Sequence, residues 1–275
     1  MLEIPEASVI KDQLNRTVKN KRIKNAAAAS SPHKFAWFSG DPALYGEILK
    51  NKKITGAEAY AGRLNLNADD IILHFADGIN LRYYENEKEL PKKHQLLLEF
   101  EDGSFLVATI AMYGGVMLYK KDEEIDDFYY NSAKNAVSPL SAEFDFDKFK
   151  SLIDEKTIKM SAKAFLATEQ RIPGLGNGVL QDILLNAKIH PKKKMNCLSD
   201  EQIKKMFDSI KSTLCEMVSS GGRDTERDLF GNAGGYITKL SKNSVLSICR
   251  NCGGSIRKEN YLGGSIYFCE RCQEK

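Results

Sequence analysis

The sequence has no run of about 18 uncharged apolar residues, the length a membrane-crossing helix needs, so no part of the chain is expected to span a bilayer. It has little net charge: 40 Lys and Arg against 37 Asp and Glu leave +3, too mild a surplus to announce a nucleic-acid partner from the total alone. It lacks the pattern of a secretory leader, because charge enters at Glu3 and recurs at Glu6, Lys11 and Asp12. No internal repeat is visible, and the only low-complexity tract is Ala26–Ala29 with Ser30 and Ser31. His33, His74, His94 and His190 are scattered without ligand spacing and are read as structural. An apolar fraction of 42% with 28% charged residues excludes wholesale disorder, and 275 residues suffice for one large or two modest domains with a real core. A monomer in the reducing cytoplasm is the expectation.

What is present falls into three compositional zones. Residues 1–20 read as a short extended start and then a helix, with Pro5 in its first turn and Ile10, Leu14 and Val18 four apart. Residues 33–120 read as strands, with alternation at Ile71–Phe75 and Ile79–Tyr83. Turn signals lie at Asn67–Asp70, Asp77-Gly78 and Asp102-Gly103. Antiparallel meanders in a sandwich or flattened barrel follow. Residues 128–143 lose the alternation and gain Ser, Asn and Pro, which reads as a linker. Residues 145–220 switch to helical period, with stripes at Phe146/Phe149/Leu152/Ile153, Val179/Leu180/Ile183/Leu184 and Ile203/Phe207/Ile210/Leu214. Residues 219–236 are rich in glycine and charge and read as a long loop.

The six cysteines are placed unevenly. Cys197 and Cys215 stand alone in helical sequence. The other four form Cys249-x2-Cys252, a 16-residue gap and Cys269-x2-Cys272. Two such knuckles set four thiolates at the corners of a tetrahedron, the arrangement zinc prefers, and leave no open position, so the metal would be structural. The gap fits a β-hairpin turning near Tyr261–Gly264. Arg250, Arg257, Lys258 and Arg271 on it suit either contact with phosphates or the surface of a simple stabilising clip.

The run Arg171-Ile-Pro-Gly-Leu-Gly-Asn-Gly178 lies between two helical patterns. Gly174 and Gly176 let backbone pass close to a ligand, and Asn177 is placed to cap the next helix, whose free N–H groups would suit an anion. A tight turn with ordinary packing glycines fits the same residues. At the N-terminus, Glu3 and Glu6 flank Pro5. They either complement a helix dipole or act as acid and base beside an N-terminal nucleophile.

Together these blocks resemble, in order and spacing, the formamidopyrimidine-DNA glycosylase/endonuclease VIII family. Met1–Glu6 resembles its Met-Pro-Glu start, Ile172–Pro191 its helix–two-turn–helix, Gly234-Gly235-Tyr236 the segment after its lesion-capping loop, and residues 247–273 its zinc finger. The resemblance implies an α+β multi-domain fold. Residues 1–130 would form an N-terminal antiparallel β-sandwich with a leading helix, 131–144 a linker, 145–236 the helical helix–two-turn–helix domain, and 237–275 a C-terminal zinc-finger hairpin held by four cysteines. It implies a monomeric partner of damaged duplex DNA. In this family the N-terminal proline amine attacks the sugar C1′, the base leaves, and the backbone is cut by elimination. Carried over, Glu3 is the acid/base, Glu6 a supporting carboxylate, Asn177 a phosphate ligand, and Cys249, Cys252, Cys269 and Cys272 hold structural Zn2+. Gly174, Gly176, Lys163, Arg63, Tyr113 and Arg257 complete the expected nucleic-acid contacts.

The departures lie where that chemistry lies. Leu2 stands in place of the nucleophilic proline, so the amine is expected on Met1, or on Leu2 were Met1 removed. An α-amine titrates near 8 and retains a nucleophilic fraction at neutral pH. Lys52 and Lys53 are the alternative nucleophiles. Gly62, with Arg63 next to it, falls at the family's sandwich lysine, Asp77 and Met112-Tyr113 at its duplex wedges, and Gly264 at its finger arginine. Two functions follow: a glycosylase/abasic-site lyase with an altered nucleophile, or a non-catalytic binder of damaged or structured DNA, or of RNA.

Overall fold

Pro5 and the spacing of Ile10 and Leu14 do produce a helix, α1 (Ile4–Thr17), whose buried stripe is Ile4, Ala7, Ile10 and Leu14. Here and below, the computed structural model describes residues 2–245 and 247–275. Helix α1 is followed by β1 (Ile23–Ala28), β2 (Ala36–Phe38), a short helix α2 (Tyr45–Leu49), β3 (Ile54–Tyr60), β4 (Arg63–Ala68), β5 (Ile71–Phe75), β6 (Ile79–Tyr84), β7 (Leu96–Phe100), β8 (Phe105–Ile110) and β9 (Gly114–Lys120). The strands form two sheets, ordered β2-β9-β5-β4-β3 and β1-β7-β8-β6, antiparallel except for the β2–β9 pair. Leu64, Leu66, Leu73 and Phe75 of one sheet meet Leu81, Leu96, Leu98 and Leu106 of the other, and Leu2, Ile10 and Leu14 join the same core. The expected sandwich with a leading helix is the observed architecture.

The turns divide. Asn67–Asp70 and Asp102-Gly103 close β4–β5 and β7–β8 as hairpins, with Asp69 and Gly103 at positive φ. Asp77-Gly78 does not. Strand β5 pairs with β9 and β6 with β8, so this turn crosses between sheets. Gly78 has φ +79, and a Cβ there would lie 1.7 Å from the Tyr113 carbonyl oxygen, so the crossover is clamped to the β8–β9 loop. The alanine tract is also structural. It is strand β1, and α2 packs on its backbone through Gly46, where a Cβ would come within 2.7 Å of the Ala26 carbonyl oxygen.

The expected linker needs correction. Residues 128–135 form helix α3 (Phe128–Asn135), started by Asp127, whose carboxylate accepts from the Tyr130 N–H at 2.8 Å. Its buried Tyr130 covers the outer face of the first sheet, with its hydroxyl accepting from Asn65 Nδ2 and its ring 4.8 Å from His74. Ser and Asn masked an amphipathic turn whose one apolar stripe is Tyr130 and Ala133.

The remaining helices are α4 (Phe146–Lys150), α5 (Ala162–Ala167), α6 (Val179–Asn186) and α7 (Asp200–Ser219). Their stripes assemble a second core around Phe149, Phe165, Leu180, Ile183, Ile210 and Leu214, to which Ile4 of α1 contributes. The chain closes with the hairpin β10 (Ile256–Tyr261) and β11 (Gly264–Cys269), paired in register from Ile256↔Cys269 to Tyr261↔Gly264. Its small core, Leu240, Cys249, Ile256 and Tyr267, is anchored on Leu185 of α6. Among the described residues no helix is long and apolar enough to cross a membrane.

Candidate functional site

The start of the chain, the glycine turn and the 219–236 loop converge on one buried charge cluster. Ile4 N–H donates to the Gly174 carbonyl at 3.0 Å, which lays the N-terminus along the glycine turn. The Glu3 carboxylate then reaches the start of α6, where Oε1 accepts from Gly178 N–H at 2.9 Å and Oε2 from Val179 N–H at 2.8 Å. Arg223 Nη1 lies 3.3 Å from Glu3 Oε2, while its Nε and Nη2 donate to the two oxygens of Glu6 at 2.9 and 2.7 Å. All three side chains are buried. Burial pushes the Glu3 carboxyl up, Arg223 and the two backbone donors pull it down, Glu6 pushes it up again, and the net is upward. Burial alone would lower the Arg223 guanidinium, but Glu3 and Glu6 outweigh it and hold it above its ordinary value.

Three glycines make this approach possible. A Cβ on Gly176 would lie 2.5 Å from Glu3 Oε1, and one on Gly178 would lie 1.8 Å from Arg223 Nη1. Gly174, at φ +78, would place its Cβ 2.3 Å from the Gly62 nitrogen. Gly174 and Gly176 are therefore needed for close approach, as expected, but the approaching group is the chain's own N-terminus. The helix donors expected to be free for an external anion are taken by Glu3. Asn177 does not cap α6 either: Gly178 holds that position, and Asn177 Nδ2 donates to the Ser265 carbonyl of the hairpin at 3.0 Å. Of the two readings of Glu3, the dipole one changes helix: its carboxylate serves the start of α6 and not that of its own helix.

The Leu2 side chain is buried in the sandwich core, and its carbonyl faces Gly62, where a Cβ would come within 2.9 Å. It anchors the N-terminus, and the only reacting group expected of it is its α-amine, were Met1 removed. Met1 lies outside the described residues. Lys52 and Lys53 sit at the start of β3, the far end from the Gly62 turn, and a seven-residue strand spans roughly 20 Å. Lys52 is ion-paired with Asp70. Neither lysine stands beside Glu3.

The expected nucleic-acid contacts form two groups. At the hairpin tip, Lys163 and Asn177 come together around Gly264, where a Cβ would lie 3.5 Å from Lys163 Nζ and 3.7 Å from Asn177 Nδ2. Lys163, expected as a nucleic-acid contact, is buried: its Nζ donates to the Tyr261 carbonyl at 2.5 Å and burial lowers its pKa. Gln181, which the sequence reading passed over, bonds Ser265 and Tyr267 and fastens the hairpin to α6. Arg257 is exposed on β10 and paired with Glu270 at 2.8 Å. On the sandwich side, Arg63 turns inward to Asp77 at 2.9 Å and is likewise no free cation. Tyr113 stands next to Trp37, ring centroids 6.4 Å apart.

The cysteine quartet meets the expectation. Cys249, Cys252, Cys269 and Cys272 place their sulfurs within 4.8 Å of one another, with pairs at 3.8 and 3.4 Å. A tetrahedron with metal–sulfur bonds of about 2.3 Å has edges of about 3.8 Å, so the four thiolates fit a zinc-sized ion. Cys197 and Cys215 are exposed and apart from it.

Arg223 is the residue the sequence reading missed. It is the cation between two buried carboxylates, and its signal was the Gly221-Gly222 pair before it, both at positive φ, which turns the chain inward.

Comparison with known proteins places this geometry. Residues 136–228 match the model of the formamidopyrimidine-DNA glycosylase H2TH domain. The formamidopyrimidine-DNA glycosylase of Lactobacillus delbrueckii subsp. bulgaricus is 27% identical, with 100% of both chains covered. That of Cytobacillus firmus is 28% identical over 99% of this chain and 100% of its own. Among solved structures, the Lactococcus lactis Fpg in complex with an abasic site containing DNA superposes with a TM-score of 0.83 at 24% identity, covering 99% of this chain and 100% of that one. With the sandwich, the helical element and the cysteine cluster in the same order, the chain carries the H2TH domain of the formamidopyrimidine-DNA glycosylases and is similar to them along its whole length.

Proposed function

We propose that this chain binds damaged duplex DNA and acts on it as a base-excision glycosylase and abasic-site lyase, through a primary amine at its N-terminus. The seat of Glu3 carries the reading. A buried carboxylate is fixed between the N-terminal residues, the glycine turn and Arg223, within two residues of the α-amine. Relatives matched over their whole length are named formamidopyrimidine-DNA glycosylases, and a structural neighbour is complexed with abasic-site DNA.

In the proposed reaction the neutral amine adds to C1′ of the damaged nucleotide and the base leaves with its bonding electrons and a proton. The C1′–O4′ bond of the sugar ring then breaks, O4′ takes up a proton and the amine nitrogen, having lost its own, becomes an imine to C1′. The imine acidifies C2′, loss of that proton expels the C3′ phosphate, and water releases the sugar fragment from the amine. Glu3 exchanges protons with the sugar, and its upward-shifted carboxyl suits that task. Glu6 acts through Arg223 and is a positioning residue. Asn177 contacts a phosphate beside the lesion with the amide hydrogen that Ser265 leaves over. The cysteine cluster holds Zn2+ as a structural ion and keeps the hairpin tip against α6. The functional units are the sandwich at 1–130, the helical unit at 145–236 and the finger at 237–275.

A second reading, binding without excision, is favoured by one observation: Leu2 is sealed in the sandwich core where the family's nucleophilic proline stands. Met1 carries the amine one residue, about 3.8 Å, further out.

Incision of a duplex carrying one abasic site separates the two. The first reading expects a β-elimination product whose rate falls about 100-fold or more in Glu3→Gln while duplex affinity changes little. Binding without incision is the result of the second reading. Incision at an unchanged rate in Glu3→Gln removes the assigned role of that carboxylate.

A further inference from the structure

Beside the Glu3 cluster, on the outer side of the first sheet, lies an open cleft of about 400 Å³ that the proposed chemistry does not use. Three aromatic side chains from separate parts of the chain line it: Trp37 of β2, Tyr113 of the β8–β9 loop and Tyr129 of α3. Trp37 is 52% exposed and Tyr129 55%, an unusual outlay of aromatic surface at one spot. Between them stands a polar edge. The Arg63 guanidinium lies 5.9 Å from the Tyr129 ring centroid and donates to Asp77 Oδ2 at 2.9 Å. The Asp77 side chain is 41% exposed, so its carboxylate keeps lone pairs open to the cleft. Asp127 lines the same cleft.

The parts are held in place by the backbone. Gly78 packs directly on the Tyr113 carbonyl, which fixes Asp77 beside Tyr113. The cleft also opens next to the candidate site: Arg63 follows Gly62, which touches Leu2, and the Tyr113 hydroxyl feels the charges of Asp77 and Glu3.

Aromatic faces accept flat rings, and the two carboxylates repel phosphates. What fits is a neutral planar heterocycle that donates N–H groups from its edge. Guanine does so with two adjacent donors, N1–H and N2–H, which match the two oxygens of one carboxylate. Adenine offers one donor beside an acceptor. We propose that this cleft holds one unpaired nucleobase, stacked between Trp37, Tyr113 and Tyr129, with guanine favoured by Asp77. This rests on the nucleic-acid reading above and adds to it a second base-holding site, distinct from the one where Glu3 acts. Stacking of a base on aromatic side chains is worth enough to be measured alone.

Trp37 is the only tryptophan in the chain, so its fluorescence reports the cleft and nothing else. The test titrates the full-length protein with guanosine, with adenosine, with a fully paired duplex, and with the same duplex carrying one bulged guanine. Trp37 emission is followed alongside duplex anisotropy. The proposal expects quenching by guanosine and by the bulged duplex. It expects about tenfold tighter binding of the bulged than of the paired duplex, and loss of both effects in Tyr129→Ala. Asp77→Asn should remove the preference for guanosine over adenosine while stacking remains. Equal affinity and equal quenching for bulged and paired duplexes, with no response to guanosine, overturns the cleft and leaves DNA binding standing. Quenching by guanosine with no binding of either duplex supports the cleft and overturns the DNA reading on which its biological use rests.

Discussion

At the residue scale, the organising contact is Arg223 between Glu3 and Glu6. Two carboxylates buried side by side repel, and each has lost its water, so neither tolerates the site without the guanidinium. Arg223→Met leaves both uncompensated. It is expected to cost about 3–5 kcal/mol in urea denaturation, with part of the loss recovered when Glu6→Gln is added. A loss below about 1 kcal/mol would show that the cluster carries little net stabilisation. Gly176→Ala tests the same contact from the other side. Its Cβ would displace the Glu3 carboxylate, so incision should fall while the fold persists. Normal incision in Gly176→Ala would show that the position of Glu3 is not critical.

At the scale of elements, α3 and the sheet beneath it contain a titrating device. His74 is fully buried, its Nδ1 paired with Asn65 Oδ1 at 2.7 Å, and its Nε2 has no partner among the described residues. Burial and then Arg63 push its pKa down to about 3, with Asp127 opposing them. The folded protein therefore keeps His74 neutral where the unfolded chain, titrating near 6.5, has bound a proton. The contribution of His74 to stability is complete above about pH 6.5 and is lost progressively as the pH falls toward 3, at about 1.4 kcal/mol per pH unit. The stability difference between wild type and His74→Gln should shrink across that window. A difference independent of pH between 7 and 4 would contradict the assignment.

The hairpin is the other element with a direct test. Native mass spectrometry should find one zinc per chain. Its removal with a mercurial and a chelator should release the tip from α6 and weaken duplex binding at least tenfold, with the two sheets intact by circular dichroism. Metal-free protein with an unchanged hairpin would overturn a structural ion.

Elements were legible in the sequence where their signal was local. The 3.6 period gave α6 and α7, Asp-Gly between apolar runs gave the β7–β8 hairpin, and cysteine spacing gave the finger. They were illegible where tertiary packing decided. Asp77-Gly78 has hairpin chemistry but joins two sheets. Residues 128–135 look like a linker because one covering tyrosine is all the hydrophobic anchoring α3 needs. Among site residues, the glycines were found from their spacing. The occupant of their cradle was not, because Glu3 and Gly178 are 175 positions apart and Arg223 lies a further 45 along the chain.

At the scale of the whole molecule, a net charge of +3 understates and then overstates the cationic surface. Lys and Arg gather near the finger, yet Arg63, Lys163 and Arg223 are turned inward and Arg257 is paired. Arg250, Lys258 and Arg271 of the finger remain exposed, so affinity for duplex should fall with salt at a modest slope of about −3 to −5, near 0.9 per phosphate contact. A flat slope would argue against nucleic acid as the partner. The central claim is that the chain's N-terminal amine does the chemistry in place of the missing proline. It is tested most directly by incubating the protein with an abasic-site duplex and borohydride and then mapping the adduct by peptide mass. The account predicts a reduced, covalent sugar adduct on the N-terminal peptide at Met1. No adduct despite measurable binding, or an adduct on a lysine, would contradict it.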